Sequence, residues 1–218
     1  MMSQDEQVGD RSGLNALSAN ASSADIKQYY DDWAGQYDRD LAAWNYEAPT
    51  VAANLLAGGV SADATILDVG CGTGLSGVAL QLAGFQKITG VDISQSSLDL
   101  AHKTAAYLRL DQVDLHELPL SYGAAEFGGL QCVGVLSYVP DTEAILREFC
   151  RLVASGGLVV FSQRDDIYVE RDYETVLQNL ENGGACTLVS VSDPTPYLPE
   201  NEEFGEILKV MYVVLQVS

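Results

Sequence analysis

The chain has 218 residues, 47% of them hydrophobic, enough apolar material for one domain with a substantial core. Its 31 acidic side chains against 11 basic ones give a formal charge of −20, which repels phosphate backbones and anionic headgroups. Nucleic acid and membrane surfaces are therefore not expected partners. The N-terminal MMSQDEQVGDRSG has no apolar core followed by a cleavage site, and no apolar run approaches the ~18 residues a membrane span needs. A cytoplasmic location is the expectation from those missing signals. Cys71, Cys132, Cys150 and Cys186 form no CxxC pair and read as buried, reduced thiols. With His102 and His116 as the only histidines, no metal cluster is expected.

Residues 1–22 lack periodicity and read as a flexible tail, leaving 23–218 as the folded domain. From an N-cap at Ser22 or Ser23, Ile26, Tyr29 or Tyr30, Trp33, Tyr37 and Leu41 recur every three or four residues, an aromatic stripe on one helix face. Such a stripe is either core packing or a lid over a ligand. With a second helix over 47–56, it makes an N-terminal helical unit at about 23–58. Strand, glycine-rich turn, helix and strand follow over 65–93. Ser94 is placed to cap a helix over 95–107, and a short strand is expected over 110–115. Next come a strand at 129–136, a helix at 140–153, a turn at Ser155-Gly156-Gly157 and a strand at 158–162. A helix over 170–181 and strands over 186–191 and 207–217 complete the chain. The alternation predicts an α/β, Rossmann-like, doubly wound sheet with helices on both faces. The last two strands have only a proline-containing loop between them, so they should pair antiparallel.

The chemistry concentrates in TILDVGCGTGLSGVALQLAGFQKITGVDI, residues 65–93. Gly70, Gly72, Gly74 and Gly77 allow a sharp turn and close approach of backbone to a ligand. Asp92, ending the second strand, can accept hydrogen bonds from both hydroxyls of a ribose. Gly72 to Gly77 also spells GxGxxG, so the glycines alone fit a nicotinamide dinucleotide equally well. Two features favour a cationic ligand. Asp68 precedes the first glycine, at the expected mouth of the site, where a carboxylate suits the ammonium and sulfonium of a methionine moiety. No Lys or Arg lies between Asp68 and Phe85, so a pyrophosphate would have only the helix N-terminus.

Asp68-Val69-Gly70-Cys71-Gly72-Thr73-Gly74, followed by Gly90-Val91-Asp92-Ile93-Ser94, resembles the cofactor signature of the class I S-adenosylmethionine-dependent methyltransferases. Tyr30-Asp31-Asp32-Trp33-Ala34, Tyr37-Asp38, Tyr46, Pro49 and residues 134–138 extend the likeness, from about residue 26 onward, to the methyltransferase-like proteins of the Williams–Beuren syndrome region and their relatives. The resemblance implies seven strands in the order 3-2-1-4-5-7-6, with strand 7 reversed. It implies that Asp68 and Gly70 face the methionine end, with Cys71, Gly72 and Gly74 in the same loop. Asp92 would take the ribose, Ile93 the adenine face, Asp114 the adenine amino group, and Leu115 would lie beside the ring. Cys132 and Val133 would floor the methionine site, and Tyr30, Trp33 and Tyr37 would cap it. Gly128 departs from the family pattern, standing where an aspartate is usual.

Methyl transfer from a sulfonium depends chiefly on alignment and desolvation, so a general base is optional and acceptor-side residues are hard to read. Acceptor groups should follow the carboxyl ends of the fourth and fifth strands. Tyr138 could orient an acceptor there, and Arg164 could clamp a carboxylate or pair with Asp165 or Asp166. A small molecule is the first expected acceptor and a protein side chain the second. A nicotinamide oxidoreductase and a non-catalytic cofactor-binding protein are the alternatives, and monomer or homodimer stays open.

Overall fold

The computed structural model describes residues 22–205 and 207–218; the side chains of residues 33, 34, 35 and 37, including Trp33 and Tyr37, lie outside the described residues, as do residues 1–21 of the expected tail. The elements run α1 (Ser23–Ala43), α2 (Ala48–Ala57), β1 (Thr65–Val69), α3 (Leu75–Leu82), β2 (Lys87–Asp92), α4 (Gln95–Lys103), β3 (Arg109–Gln112) and β4 (Phe127–Cys132). They continue with α5 (Thr142–Leu152), β5 (Val153–Arg164), α6 (Asp165–Glu170), α7 (Tyr173–Asn182), β6 (Cys186–Val191), β7 (Thr195–Pro196) and β8 (Lys209–Val217). The strand order is β3-β2-β1-β4-β5-β8-β6. β1 to β5 are parallel to their neighbours, whereas β8 runs antiparallel to both β5 and β6. This is the expected seven-strand order with one addition, the two-residue β7 on β8.

A strand's side chains alternate between faces, and the buried strands divide their apolar residues between two cores accordingly. Leu67 and Val69 of β1, with Val159 and Phe161 of β5, face one core beneath α5 and α7. Ile66, Leu158 and Val160 face the other, beneath α2 and α3. Ala52 and Ala53 of α2 are fully buried, small enough to let that helix lie close. Among the described residues no helix is long and apolar enough to cross a membrane.

Four departures from the sequence reading have local causes. The helix expected to reach residue 107 stops at Lys103, where the Thr104 hydroxyl donates to the Ala101 carbonyl and Ala105 takes φ +56°. The fourth strand ends at Cys132 because Gly134 turns the chain with φ +74°, and Leu136–Tyr138 forms a short 3-10 turn. Between α5 and β5 the turn becomes a bulge: Phe127 pairs with Val153, yet Gly129 pairs with Leu158. Gly128 lies in that irregular stretch, and close packing explains its departure: a Cβ there would sit 2.8 Å from the Cβ of Ala64. The single helix expected over 170–181 is two, because Asp172, at φ 47°, interrupts the run and caps α7 by accepting from the Thr175 N–H.

Freed from α4, Tyr107 crosses to the neighbouring turn, where its hydroxyl accepts from the Gly77 N–H at 2.8 Å and donates to Asp68 at 2.7 Å. A Cβ at Gly77 would stand 2.2 Å from the Tyr107 ring, so this glycine makes room for a tyrosine. Gly77→Ala should therefore destabilise the fold by about 1–3 kcal/mol through overpacking, read as a lower urea midpoint with an unchanged m-value.

Candidate functional site

The site begins where β1 runs into its glycine turn. The N–H groups of Gly70 and Cys71 both donate to the Val91 carbonyl, at 2.8 and 2.9 Å, tying the turn to β2. Gly70 has φ +69°, and a Cβ there would lie 2.1 Å from Val135. Gly72 also has positive φ, +52°, but a Cβ there would meet nothing within 4 Å, because this peptide borders open space. Its N–H donates to Asp92 Oδ2 at 2.9 Å, while Asp92 Oδ1 accepts from the Ser94 N–H at 2.9 Å. Burial raises the Asp92 carboxyl above its ordinary value, with the Ser94 and Gly72 N–H groups acting against it. A carboxylate offers about four lone-pair directions, so two protein bonds leave capacity for further donors.

Around this carboxylate lies a cleft holding about 760 Å³ of empty space, open solvent included. Ile93, Val113 and Leu115 line an apolar part, with Asp114 beside them. Among the described lining residues there is no lysine or arginine. The residues fit S-adenosylmethionine on this structure's own terms. Gly72 leaves a backbone cradle that a side chain would fill, Asp92 retains acceptor capacity, and the lining suits a cation better than a pyrophosphate.

Helix α1 lies across the cleft, contributing Ile26 and Tyr30 to its wall. A capping box starts it, with Ser22 and Asp25 satisfying each other's backbone N–H groups. Three polar contacts then fix it to three different loops. The Ser23 hydroxyl meets His116 Nδ1 at 3.0 Å beside Asp114, and Thr73 of the glycine turn donates its hydroxyl to Asp38. Asp31 accepts from the Ser94 hydroxyl at 2.5 Å and the Ser96 N–H at 3.2 Å, and pairs with Lys27. Burial alone would raise the Asp31 carboxyl, but bonds from Lys27, Ser94 and Ser96 outweigh it and hold the group at about 2.

The structure thus gathers Tyr30, Gly70, Gly72, Asp92, Ile93, Asp114, Leu115, Val133 and Tyr138 on one cleft. Others lie elsewhere. Asp68 is not at the mouth: it is fully buried behind the turn, accepting from Ser76 Oγ at 2.6 Å and from Tyr107. Cys71 and Cys132 are also buried away from the cleft, and burial pushes both thiols well up. Gly74 caps α3 with φ +103° and packs against Ala101 of α4. Arg164 lines a second cleft and holds Asp166 in a two-pronged ion pair at 3.0 and 2.6 Å. That cleft, about 940 Å³ with open solvent included, shares Gly134 and Tyr138 with the first. Tyr197 on its wall meets the Tyr46 hydroxyl at 3.2 Å, and a Cβ on Gly134 would lie 2.8 Å from the Tyr197 oxygen. Sequence reasoning did not single out Thr73, although it stands inside the glycine motif, nor Tyr107, Arg171 and Tyr197, which stand in no recognisable pattern.

Comparison with known proteins agrees with this geometry. A family model described as a methyltransferase domain (Methyltransf_25) matches residues 66–157, the stretch from β1 to the β5 bulge. Methyltransferase-like protein 27 of Homo sapiens is 34% identical over 162 residues, covering 72% of this chain and 66% of its own length. A ubiquinone biosynthesis O-methyltransferase of Chromobacterium violaceum is 36% identical over 101 residues, covering 44% of this chain and 43% of its own length. The chain therefore spans just under two thirds of the human relative and under half of the bacterial one. Among solved structures, the [4+2]-cyclase SpnF superposes with TM-score 0.71 at 15% identity, covering 90% of this chain and 97% of its own. A TehB-like S-adenosylmethionine-dependent methyltransferase from Corynebacterium glutamicum gives 0.66 at 20%, covering 88% and 99%. At these identities the two structures speak to fold alone. Residues 66–157 are thus a methyltransferase domain, carried on a fold shared with S-adenosylmethionine-dependent methyltransferases.

Asp68 gives a pH prediction. Burial raises its carboxyl from 3.8 to about 6, against hydrogen bonds from Ser76, Tyr107 and Gln131. The folded protein thus holds this proton more tightly than the unfolded chain does. Its contribution to stability is full below pH 3.8 and is lost as pH rises through about 6. Asp68→Asn should remove this dependence, changing the pH 4-to-7 difference in unfolding free energy by about 2 kcal/mol in urea titrations.

Proposed function

We propose that this protein transfers the methyl group of S-adenosylmethionine to a small-molecule acceptor, the donor occupying the first cleft and the acceptor the second. The observation that carries the reading is that Gly134 and Tyr138 border both clefts, so the two lie side by side and share part of a wall. S-adenosylmethionine supplies a methyl group on a positively charged sulfur, already activated for in-line displacement. The chain's own part is binding, orientation and exclusion of water. Asp92 holds the ribose hydroxyls, Ile93 and Leu115 flank the adenine, and Asp114 faces its amino group. The backbone at Gly70 and Gly72, with Val133, borders the methionine end. Asp68 acts from behind, holding the turn in shape through Ser76 and Tyr107 rather than touching the ligand.

Residues 23–218 work as one domain, with α1 and α2 as a lid. Tyr138 sits edge-on to Tyr30, ring centres 6.1 Å apart, and steadies an acceptor beneath the lid. The enclosed second cleft and the protein's acidity support a small molecule over nucleic acid. So does the likeness to enzymes of ubiquinone biosynthesis, over less than half the chain. A second reading, a cofactor-binding fold put to other chemistry, is favoured by the fold likeness to a [4+2]-cyclase.

Calorimetry with S-adenosylmethionine, S-adenosylhomocysteine and NADH tests the donor assignment. The first two should bind and Asp92→Ala should weaken both by at least about tenfold, or ~1.4 kcal/mol. Binding of NADH alone would sink it. Methyl release from labelled donor across a metabolite panel separates transfer from mere binding.

A further inference from the structure

The second cleft is anomalous in its charge. In a chain with 31 acidic and 11 basic side chains, two arginines, Arg164 and Arg171, line this one space beside the junction with the first cleft. The acidic groups on the same cleft stand outward: the Asp166 side chain is 56% exposed against 27% for Arg164, and Glu170 is exposed. Arg164 is thus less exposed than the Asp166 it pairs with, while Arg171 stands between this cleft and a shallower one that it lines with Asp141, Glu143 and Glu170.

Arg171 is the more telling of the two. It donates Nη1 to the carbonyls of Leu136 and Val139, at 3.1 and 2.7 Å, and Nη2 to that of Ser137 at 2.7 Å. A guanidinium has five N–H donors, so these three bonds leave Nε–H and one Nη2–H without a partner among the described residues. No carboxylate pairs with it among the described residues. The three carbonyls fix the head group where it stands, which lowers the entropy lost when a ligand docks on the remaining donors. Opposite, Ile167, Tyr197, Leu208 and Val210 give the cleft an apolar wall. Ser137 and Gln163 are engaged with each other, at 2.8 Å, and Gln163 also donates to Tyr173 at 2.7 Å.

We propose that the second cleft recognises an acceptor with a compact apolar body and a carboxylate, the carboxylate held by the two remaining N–H donors of Arg171 with Arg164 nearby. This rests on the reading of that cleft as the acceptor site. Two adjacent N–H donors match the two oxygens of a carboxylate. The acidic rim disfavours a dianionic phosphate, which would bring a second negative charge past Asp166 and Glu170.

The test uses the full chain saturated with S-adenosylhomocysteine and matched probes: benzoate, phenylacetate and 4-hydroxybenzoate, each against its amide, with phenyl phosphate as a further arm. Calorimetry or ligand-observed NMR should find the acids bound about tenfold more tightly than the amides, with Arg171→Gln abolishing the preference. Because Arg171 also pins a turn, Asp166→Asn provides an arm that does not threaten folding. By releasing Arg164 it should tighten the acids about threefold or more and leave the amides unchanged, which a purely structural arginine pair would not do. Amides binding as well as acids, no acid binding to the loaded protein, phenyl phosphate binding better than the acids, or an inert Asp166→Asn would each overturn the proposal. Failure of S-adenosylhomocysteine to bind would instead defeat the donor assignment.

Discussion

Everything in the first cleft depends on one carboxylate bridging two backbone N–H groups. Asp92 takes Gly72 on one oxygen and Ser94 on the other, joining the turn after β1 to the turn after β2. The first turn runs through left-handed backbone at Gly70, Gly72 and Gly74, and the second ends in the Ser94 cap. Ser94 extends the link, because its side chain accepts from the Ser97 N–H to start α4 and donates to Asp31 on α1. Sheet, helix and roof therefore meet at a single acidic residue. Its burial is tolerable because fixed N–H dipoles replace the water it gives up.

The parts legible in the sequence were those decided locally. The glycines and Asp92 follow from how a strand turns into a helix and where the next strand ends, and the aromatic spacing from 26 to 41 could only be helical. Alternation of short apolar runs with helices fixed the sheet, and the short final connection fixed its antiparallel pair. Asp68 shows where such reasoning stops. Its partners Tyr107 and Gln131 lie 39 and 63 residues away, so nothing near it in the chain says whether it faces a ligand or a buried network. The charge argument that set it at the mouth was sound for the cleft as a whole and misplaced for that residue.

The roof divides in the same way. Its helix was readable, but what fastens it is a set of polar pairs spanning 63 residues for Asp31 to Ser94 and 35 for Asp38 to Thr73. Acidic residues on a helix ordinarily read as a solvated face. Here two, Asp31 and Asp38, accept from serine and threonine hydroxyls on the loops below, so the polar face and the docking face overlap. The helical break at Asp172 was equally hidden, since one residue in the left-handed region leaves no mark on hydrophobic periodicity.

Gly134 stands at the border of both clefts with no side chain of its own. At this position the boundary is backbone alone, and Tyr138 completes it. The walls on either side come from different parts of the chain: the turns after β1, β2 and β3 on one, and α6 with the approach to β8 on the other. Substitution late in the chain can therefore reshape the far cleft while leaving the glycine motif between β1 and α3 untouched.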